Sequence, residues 1–291
     1  MRDWLATKQS PHTKRVYTAD INDFLGRCQV TLGQFLTSDR HSAFELVSRY
    51  QGQLMAQELS SATVNRRLAA IKSLVNHAYT CGHCDFTLAI KSVRQKAYRD
   101  TTGINVEAFT RILNQCARDP LKGKRDYALL TLLWGNALRR SEVSKANVKD
   151  FDPQAGTLRI YGKGRGHDAE VITLGKQAIT AINDWLEARG DVDPNSALFC
   201  SVNPGYAEGR LSTQAIYDIV RTLAKKADIG KVLSPHRIRH SAITAALDVT
   251  NGDVRRVQKL SRHANLNTLM IYDDNRINHQ GEITALLDGL L

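Results

Sequence analysis

A chain of 291 residues with 42% hydrophobic content carries enough apolar material for one large domain or two ordinary ones, which excludes a disordered or collagen-like protein. Lys+Arg 40 against Asp+Glu 29 leaves a net charge of +11, a surface that attracts polyanions, so nucleic acid is the expected partner. No apolar run approaches the roughly 20 residues of a spanning helix, and no signal-peptide core follows Met1; the expectation is a cytoplasmic, nucleoid-associated chain with no membrane partner. The first predicted helix opens at Ser10-Pro11, with Ser10 as cap and Val16, Ile21, Phe24 and Leu25 at helical spacing. Lys14 and Arg15 on it are candidate DNA contacts. A second helix is expected at Ala43 to Leu59, with Phe44, Leu46, Val47, Tyr50 and Leu54 facing inward. A third starts under Ser60 or Ser61 and buries Val64, Leu68, Ile71, Leu74 and Val75. Its other face carries Asn65, Arg66, Arg67 and Lys72, which suit either plain solvation or a helix laid along DNA phosphates.

Cys81-Gly-His-Cys84 has the spacing of a redox or zinc motif. No βαβ pattern surrounds it and no second Cys or His pair stands at zinc spacing, so it reads as a turn with incidental thiols. The odd count of five cysteines also argues for reduced thiols. Lys91 to Gly103 has four cationic residues, among them Arg94 and Lys96, and little apolar periodicity. It reads as a basic linker able to follow DNA between two domains. The expected division is an N-terminal helical domain over 1–92, a linker over 93–104 and a second domain over 105–291.

Beyond the linker, Val106, Phe109, Ile112 and Leu113 mark a helix, and Arg125 to Trp134 a strongly apolar, buried one. Thr157 to Tyr161 and Glu170 to Leu174 alternate with period two around GKGRGHDA, a β-hairpin. Helices are expected again at Gln177 to Arg189, Thr213 to Ala227, Pro235 to Val249, Gly252 to Ser261 and from about Asn278.

Four features carry chemistry. Ser234-Pro235 caps a helix whose opening turns place His236, Arg239 and His240 on one face, where main-chain N–H groups and a guanidinium suit an anion. A metal there is disfavoured, because arginines flank the histidines and no carboxylate lies among them. Arg139 emerges from the apolar helix one turn before Glu142, which is placed to orient it; an ordinary exposed pair is the competing reading. Lys163, on the hairpin turn, is either a solvent lysine or a proton donor reaching into a site, and the frame of a nucleotide-binding loop is absent. In LSRHANLNTLMIY, His263 precedes Tyr272, a tyrosine suited to nucleophilic attack on phosphorus or, among its apolar neighbours, to core packing.

Arg139 with Glu142, Lys163 on a hairpin, His236-x-x-Arg239-His240, His263 and Tyr272 together resemble, in order and approximate spacing, the tyrosine recombinases of the phage-integrase family. The resemblance covers nearly the whole chain. It implies a mainly α, two-domain protein: an N-terminal helical core-binding domain and a C-terminal mixed α+β catalytic domain with a small antiparallel sheet. It also implies site-specific recombination through a 3′-phosphotyrosine on Tyr272, without cofactor, metal or ATP. Arg139, Arg239 and His263 would hold the phosphate, Lys163 would protonate the leaving 5′-oxygen, His236 would assist proton transfer at the tyrosine, and His240 and Glu142 would support them. The partners so implied are double-stranded DNA with inverted-repeat core sites, three further copies in a tetramer, with the C-terminal ITALLDGLL able to dock on a neighbour or on its own domain, and in some systems accessory proteins. The short stretch before Ser10 leaves no room for an arm-binding domain, which favours a simple Xer-like or mobile-element type. A type IB topoisomerase and a non-catalytic sequence-specific DNA-binding protein are the alternatives. Two positions depart from the family pattern: Arg262 stands where a glycine commonly precedes the histidine, and Ala137 where a glycine commonly sits two residues before the arginine.

Overall fold

The computed structural model describes residues 1–94, 103–116, 120–162, 169–190, 192–203, 205, 209–263, 265–267, 269–270 and 279–290. The chain divides into two compact units, Met1–Ala97 and Tyr98–Leu291, and is mainly helical, with one three-stranded sheet in the second unit. No described helix is long and apolar enough to cross a membrane.

The first unit comprises α1 (Arg2–Ala6), α2 (Pro11–Cys28), α3 (Leu32–Leu36), α4 (Arg40–Ala56) and α5 (Ser61–Thr80). Ser10 caps α2 by accepting the Thr13 N–H, with Pro11 in the first turn, as the sequence predicts. Ser60 does the same for α5 through the Thr63 N–H. The second helix starts earlier than its apolar pattern does, because Asp39 caps it through the His41 and Ser42 N–H groups. Trp4, Ile21, Phe24, Phe35, Val47, Tyr50, Leu54 and the inward face of α5 form one core. Phe24 meets Phe35 and Tyr50 edge-on, at centroid distances of 4.9 and 5.2 Å. Each such side chain removed from water stabilises the unit by about 1.5–3 kcal/mol.

The second unit begins with α6 (Val106–Asn114), capped by Asn105, and α7 (Pro120–Gly135), in which Ala128, Leu129, Leu130, Leu132 and Leu133 are fully buried. The chain then reverses at Ala137 and enters α8 (Arg140–Lys145). A 3-10 turn leads to β1 (Phe151–Asp152), which pairs antiparallel with β2 (Thr157–Tyr161), itself paired with β3 (Ala169–Thr173) from Thr157↔Thr173 to Tyr161↔Ala169. Leu158 and Ile160 point into the core and Arg159 to water, the alternation that marks the hairpin in the sequence. β1 is too short to show a period, and its pairing was not anticipated. Helices α9 (Lys176–Arg189), α10 (Thr213–Lys226), α11 (Pro235–Val249), α12 (Val254–Ser261) and α13 (His279–Asp288) complete the order. The main core gathers α6, α7, the sheet, α9 and α10. A separate cluster of Ala137, Ala242, Ile243, Leu247, Val257 and Leu269 fixes the reversal after α7 against α11 and α12.

Candidate active site

Glu142 is 1% exposed and anchors one side of the site. Its Oε2 accepts the Arg139 main-chain N–H at 2.8 Å, and its Oε1 accepts from Arg139 Nη1 at 2.7 Å. The same Oε2 also accepts from Arg262 Nη2 at 3.0 Å. Burial alone would lift this carboxyl, but the Arg139 N–H, the Arg262 guanidinium and the Arg139 side chain outweigh it and hold Glu142 below the usual carboxylate range. The sequence pattern thus located the Arg139–Glu142 pair. It missed Arg262 as a site residue, since this contact joins positions 120 apart and no periodicity signals it.

The two departures from the family pattern share a backbone conformation. Ala137 has φ 46° and Arg262 φ 55°, both in the left-handed region that favours glycine. Arg262 is the residue just past α12, where a left-handed cap ends the helix. Arg239, 2% exposed, donates through Nη1 to the Ala137 carbonyl and through Nη2 to the Ser261 carbonyl. The two chain reversals therefore supply the oxygens that clamp the second arginine.

α11 presents the rest. Ser234 caps it through the Arg237 N–H at 3.2 Å, with Pro235 at the first position. His236, Arg239 and His240 lie on its opening turns as the spacing requires. His236 Nε2 and His240 Nε2 are 2.8 Å apart, so one ring donates and the other accepts. Burial, then the nearby His236 and Arg239, push His240 down to about 4. His263 Nε2 accepts from Arg239 Nη2 at 3.4 Å, and burial together with Arg239 and Arg139 pushes it down to about 4. Both rings are neutral at pH 7. Between the starts of α8 and α11 lies a cavity of about 440 Å³, lined by Arg139, Arg140, Ser141, Tyr217, His236 and Arg239 among others, and no described lining residue is a carboxylate.

Lys163, Lys96 and Tyr272 lie outside the described residues. Leu269, three positions before Tyr272, is fully buried against α11 and α12, whereas Met270 is exposed. No group of three or more His, Cys, Asp or Glu among the described residues is arranged to hold a metal ion. The five cysteines are free. Cys81 ends α5 on the surface, and Cys84 Sγ donates to the Val75 and Phe86 carbonyls, the turn read from the sequence.

The DNA-contact candidates of the first unit are placed differently from one another. Lys14 is half-buried, and Arg15 and Arg94 are exposed. Arg66 is paired with Asp20, and Arg67 with Asp23 and Tyr50 Oη. Asn65 exchanges two hydrogen bonds with the Val93 main chain, at 2.8 and 2.9 Å, and Lys72 donates to the Ile90 carbonyl. The polar face of α5 therefore fastens the segment that leaves the unit and closes a charge network with α2, a role its sequence pattern did not disclose.

A sequence profile described as "Phage integrase family" matches residues 104–279, and one described as "Phage integrase, N-terminal SAM-like domain" matches 3–82. A tyrosine recombinase of Synechocystis sp. is 48% identical over 100% of this chain and 95% of that protein. Tyrosine recombinase XerC of Pseudomonas fluorescens is 30% identical over 93% and 87% of the two chains. The fold is shared with the XerH site-specific recombinase in a post-cleavage complex on a palindromic difH substrate, at a TM-score of 0.67 and 20% identity over 95% of this chain and 79% of that one.

Proposed function

We propose that this chain, which belongs to the phage integrase family and is a site-specific tyrosine recombinase, cuts and rejoins double-stranded DNA through a 3′-phosphotyrosine on Tyr272. The observation that carries the reading is the convergence of Arg139, His236 and Arg239 on one cavity with no carboxylate among its described lining residues. A phosphodiester entering it gains negative charge as a fifth oxygen approaches phosphorus. Guanidiniums already fixed by Glu142 and by the carbonyls of residues 137 and 261 stabilise that charge without reorganising.

In this reaction the Tyr272 oxygen forms a bond to phosphorus and the bond to the 5′-oxygen breaks. The tyrosine proton passes to His236, because a phenol of ordinary pKa, about 10, does not ionise unaided at pH 7. His240, held neutral, bonds the far nitrogen of His236 and sets its tautomer. Lys163 supplies the proton taken up by the leaving 5′-oxygen. His263 adds a contact to the phosphate. The phosphotyrosine conserves the bond energy, so the reverse attack by a 5′-hydroxyl reseals the strand without ATP.

The first unit serves as the core-binding domain over 1–92, with the exposed Arg15 and Arg94 as its most accessible phosphate contacts and the half-buried Lys14 beside them, and residues 93–104 follow the DNA as a basic linker that includes Lys96. Asn65, Arg66, Arg67 and Lys72 contribute by holding that surface in shape. Two chains occupy the inverted repeats of a core site, and two such sites form a tetramer. Leu286 and Leu287 of α13, exposed at 71% and 57%, with Leu290 just past it at 81%, suit docking of this C-terminal segment on a neighbouring subunit. Such a protein works in the cytoplasm, at the nucleoid.

Sheared total DNA of the source organism, incubated with the protein and run on a denaturing gel, tests the chemistry. The wild-type chain gives a protein–DNA adduct blocked at the DNA 3′ end, and Tyr272→Phe gives none. A wild-type chain that binds DNA without an adduct would refute the reaction, and an adduct formed by Tyr272→Phe would refute the nucleophile.

A further inference from the structure

We infer that Arg262 is a positioning residue for strand cleavage: by sharing the Glu142 carboxylate with Arg139, it keeps the Arg139 guanidinium aimed at the cavity and only partly neutralised. The inference rests on the recombination chemistry proposed above. Arg262 is not a surface arginine, since its side chain is 6% exposed. Besides the 3.0 Å bond to Glu142 Oε2, its Nη1 donates to the Leu260 carbonyl at 2.8 Å and the Asn136 carbonyl at 3.2 Å. One side chain thus ties the end of α12, where His263 follows, to the reversal that precedes Arg139 and to the carboxylate that orients it.

The backbone does not explain why this residue is arginine. At φ 55° glycine sits without strain, and any other residue is held there only by its contacts. The contacts of Arg262 are charged and directional. Their electrostatic effect follows from a count: one carboxylate faces two guanidiniums. Were Glu142 paired with Arg139 alone, it would cancel most of the charge that the phosphate needs. Divided between two partners, it holds Arg139 in place and leaves the cluster with a net positive charge in a low-dielectric wall, where that charge acts strongly on a bound anion. Arg262 itself does not line the cavity, so it acts through Glu142 and Arg139 rather than on the phosphate.

The test is single-turnover adduct formation at saturating concentrations of a nicked duplex built from the sequence at which the wild-type chain forms its adduct. Arg262→Met lowers the cleavage rate constant by about 10- to 100-fold, less than loss of a direct phosphate contact, and leaves DNA affinity unchanged. Arg262→Lys, which keeps one charged donor, recovers part of the rate. In a cycle with Glu142→Gln, the double variant loses less than the product of the two single losses, because both act on Arg139. Should Arg262→Met fail to fold, Arg262→Gly, strain-free at this φ, carries the same comparison. Wild-type rates in the Met or Gly variant, or losses that multiply independently, overturn the inference while the adduct itself stands. Failure of the wild-type chain to form an adduct overturns the recombination chemistry and the inference with it.

Discussion

Among the described residues, one arginine–carboxylate cluster in each unit invites comparison, and the two differ in where their guanidiniums open. In the first unit, Asp20 and Asp23 of α2 take Arg66 and Arg67 from α5, Arg27 bonds Asp23 at 3.0 Å, and the Tyr50 hydroxyl adds a 2.7 Å bond to Asp23. Burial lifts Asp20 above the ordinary carboxylate value against the pull of Arg66. Asp23, also pushed up by burial, is carried below that value by Tyr50, Arg27 and Arg67. That cluster spends its cations on helix packing. In the second unit, Glu142 is shared by two guanidiniums, Arg239 is clamped by main-chain carbonyls, and Arg139 and Arg239 both line a cavity. Asp23 is shared as well, by Arg27 and Arg67, so the clusters differ in what their guanidiniums face: Arg139 and Arg239 line a cavity that an anion can enter, whereas Arg67 is held between α2 and α5.

The largest effect should fall on the catalytic cluster. Arg139→Ala is expected to slow single-turnover cleavage by about 10²–10³-fold, and Arg139→Lys to recover little of it, because lysine lacks the planar fork. A loss of less than tenfold would erase the distinction between the clusters. Arg67→Ala should do the reverse: chemical denaturation shows a stability loss of about 1.5 kcal/mol, since it removes a charge-assisted bond to Asp23 while Arg27, Tyr50 and Arg66 still pair the two carboxylates, and the cleavage rate of the folded protein at saturating DNA is unchanged. A rate loss there would move Arg67 from scaffold to function.

A smaller effect concerns pH. His240 and His263 have folded-state values near 4, whereas unfolding returns them to about 6.5, so the unfolded chain binds more protons in between. Stability is therefore full above about pH 6.5 and falls as pH drops toward 4, by about 1 kcal/mol per histidine between pH 7 and pH 5, since both rings are only partly buried and water screens part of the shift. Glu142 and Asp23, both depressed, add a further loss as pH falls below the ordinary carboxylate value of about 4 and through their folded values. Denaturation midpoints of wild type and His240→Gln over this range measure the contribution, and the variant should show the shallower fall. The smallest effect is at Ala137. Relief of its left-handed φ, about 1–2 kcal/mol, is offset by a lost buried methyl, about 0.8 kcal/mol, and by a freer unfolded chain, about 0.4–1 kcal/mol. Ala137→Gly should thus leave stability within about 0.5 kcal/mol of wild type by thermal unfolding, which explains how alanine can stand where glycine is usual.

Local signals made much of this legible from residues alone. Ser10-Pro11, the Ser60-Ser61 pair and Ser234-Pro235 announce helix starts, and the caps are made by Ser10, by Ser60 of the two candidate serines, and by Ser234. The Arg139–Glu142 pair is one helical turn long and could be read as spacing. What stayed hidden is long-range. Arg66 and Arg67 look like a basic face on a helical wheel, and only the packing of α2 beside α5 brings Asp20 and Asp23 to them. Arg262 looked like a local departure, and its carboxylate lies 120 positions away. Charge patterns along one helix report composition of a face, whereas the use of that face depends on what tertiary structure sets against it.

Whether Arg139 keeps charge for the phosphate is tested most directly by replacing one non-bridging oxygen of the scissile phosphate with a methyl group, which removes the charge that Arg139 is held to stabilise. On this neutral substrate the rate gap between wild type and Arg139→Ala should shrink by about tenfold or more relative to the natural phosphate. An unchanged gap would contradict the account and return Arg139 to the structural role that Arg67 plays in the first unit.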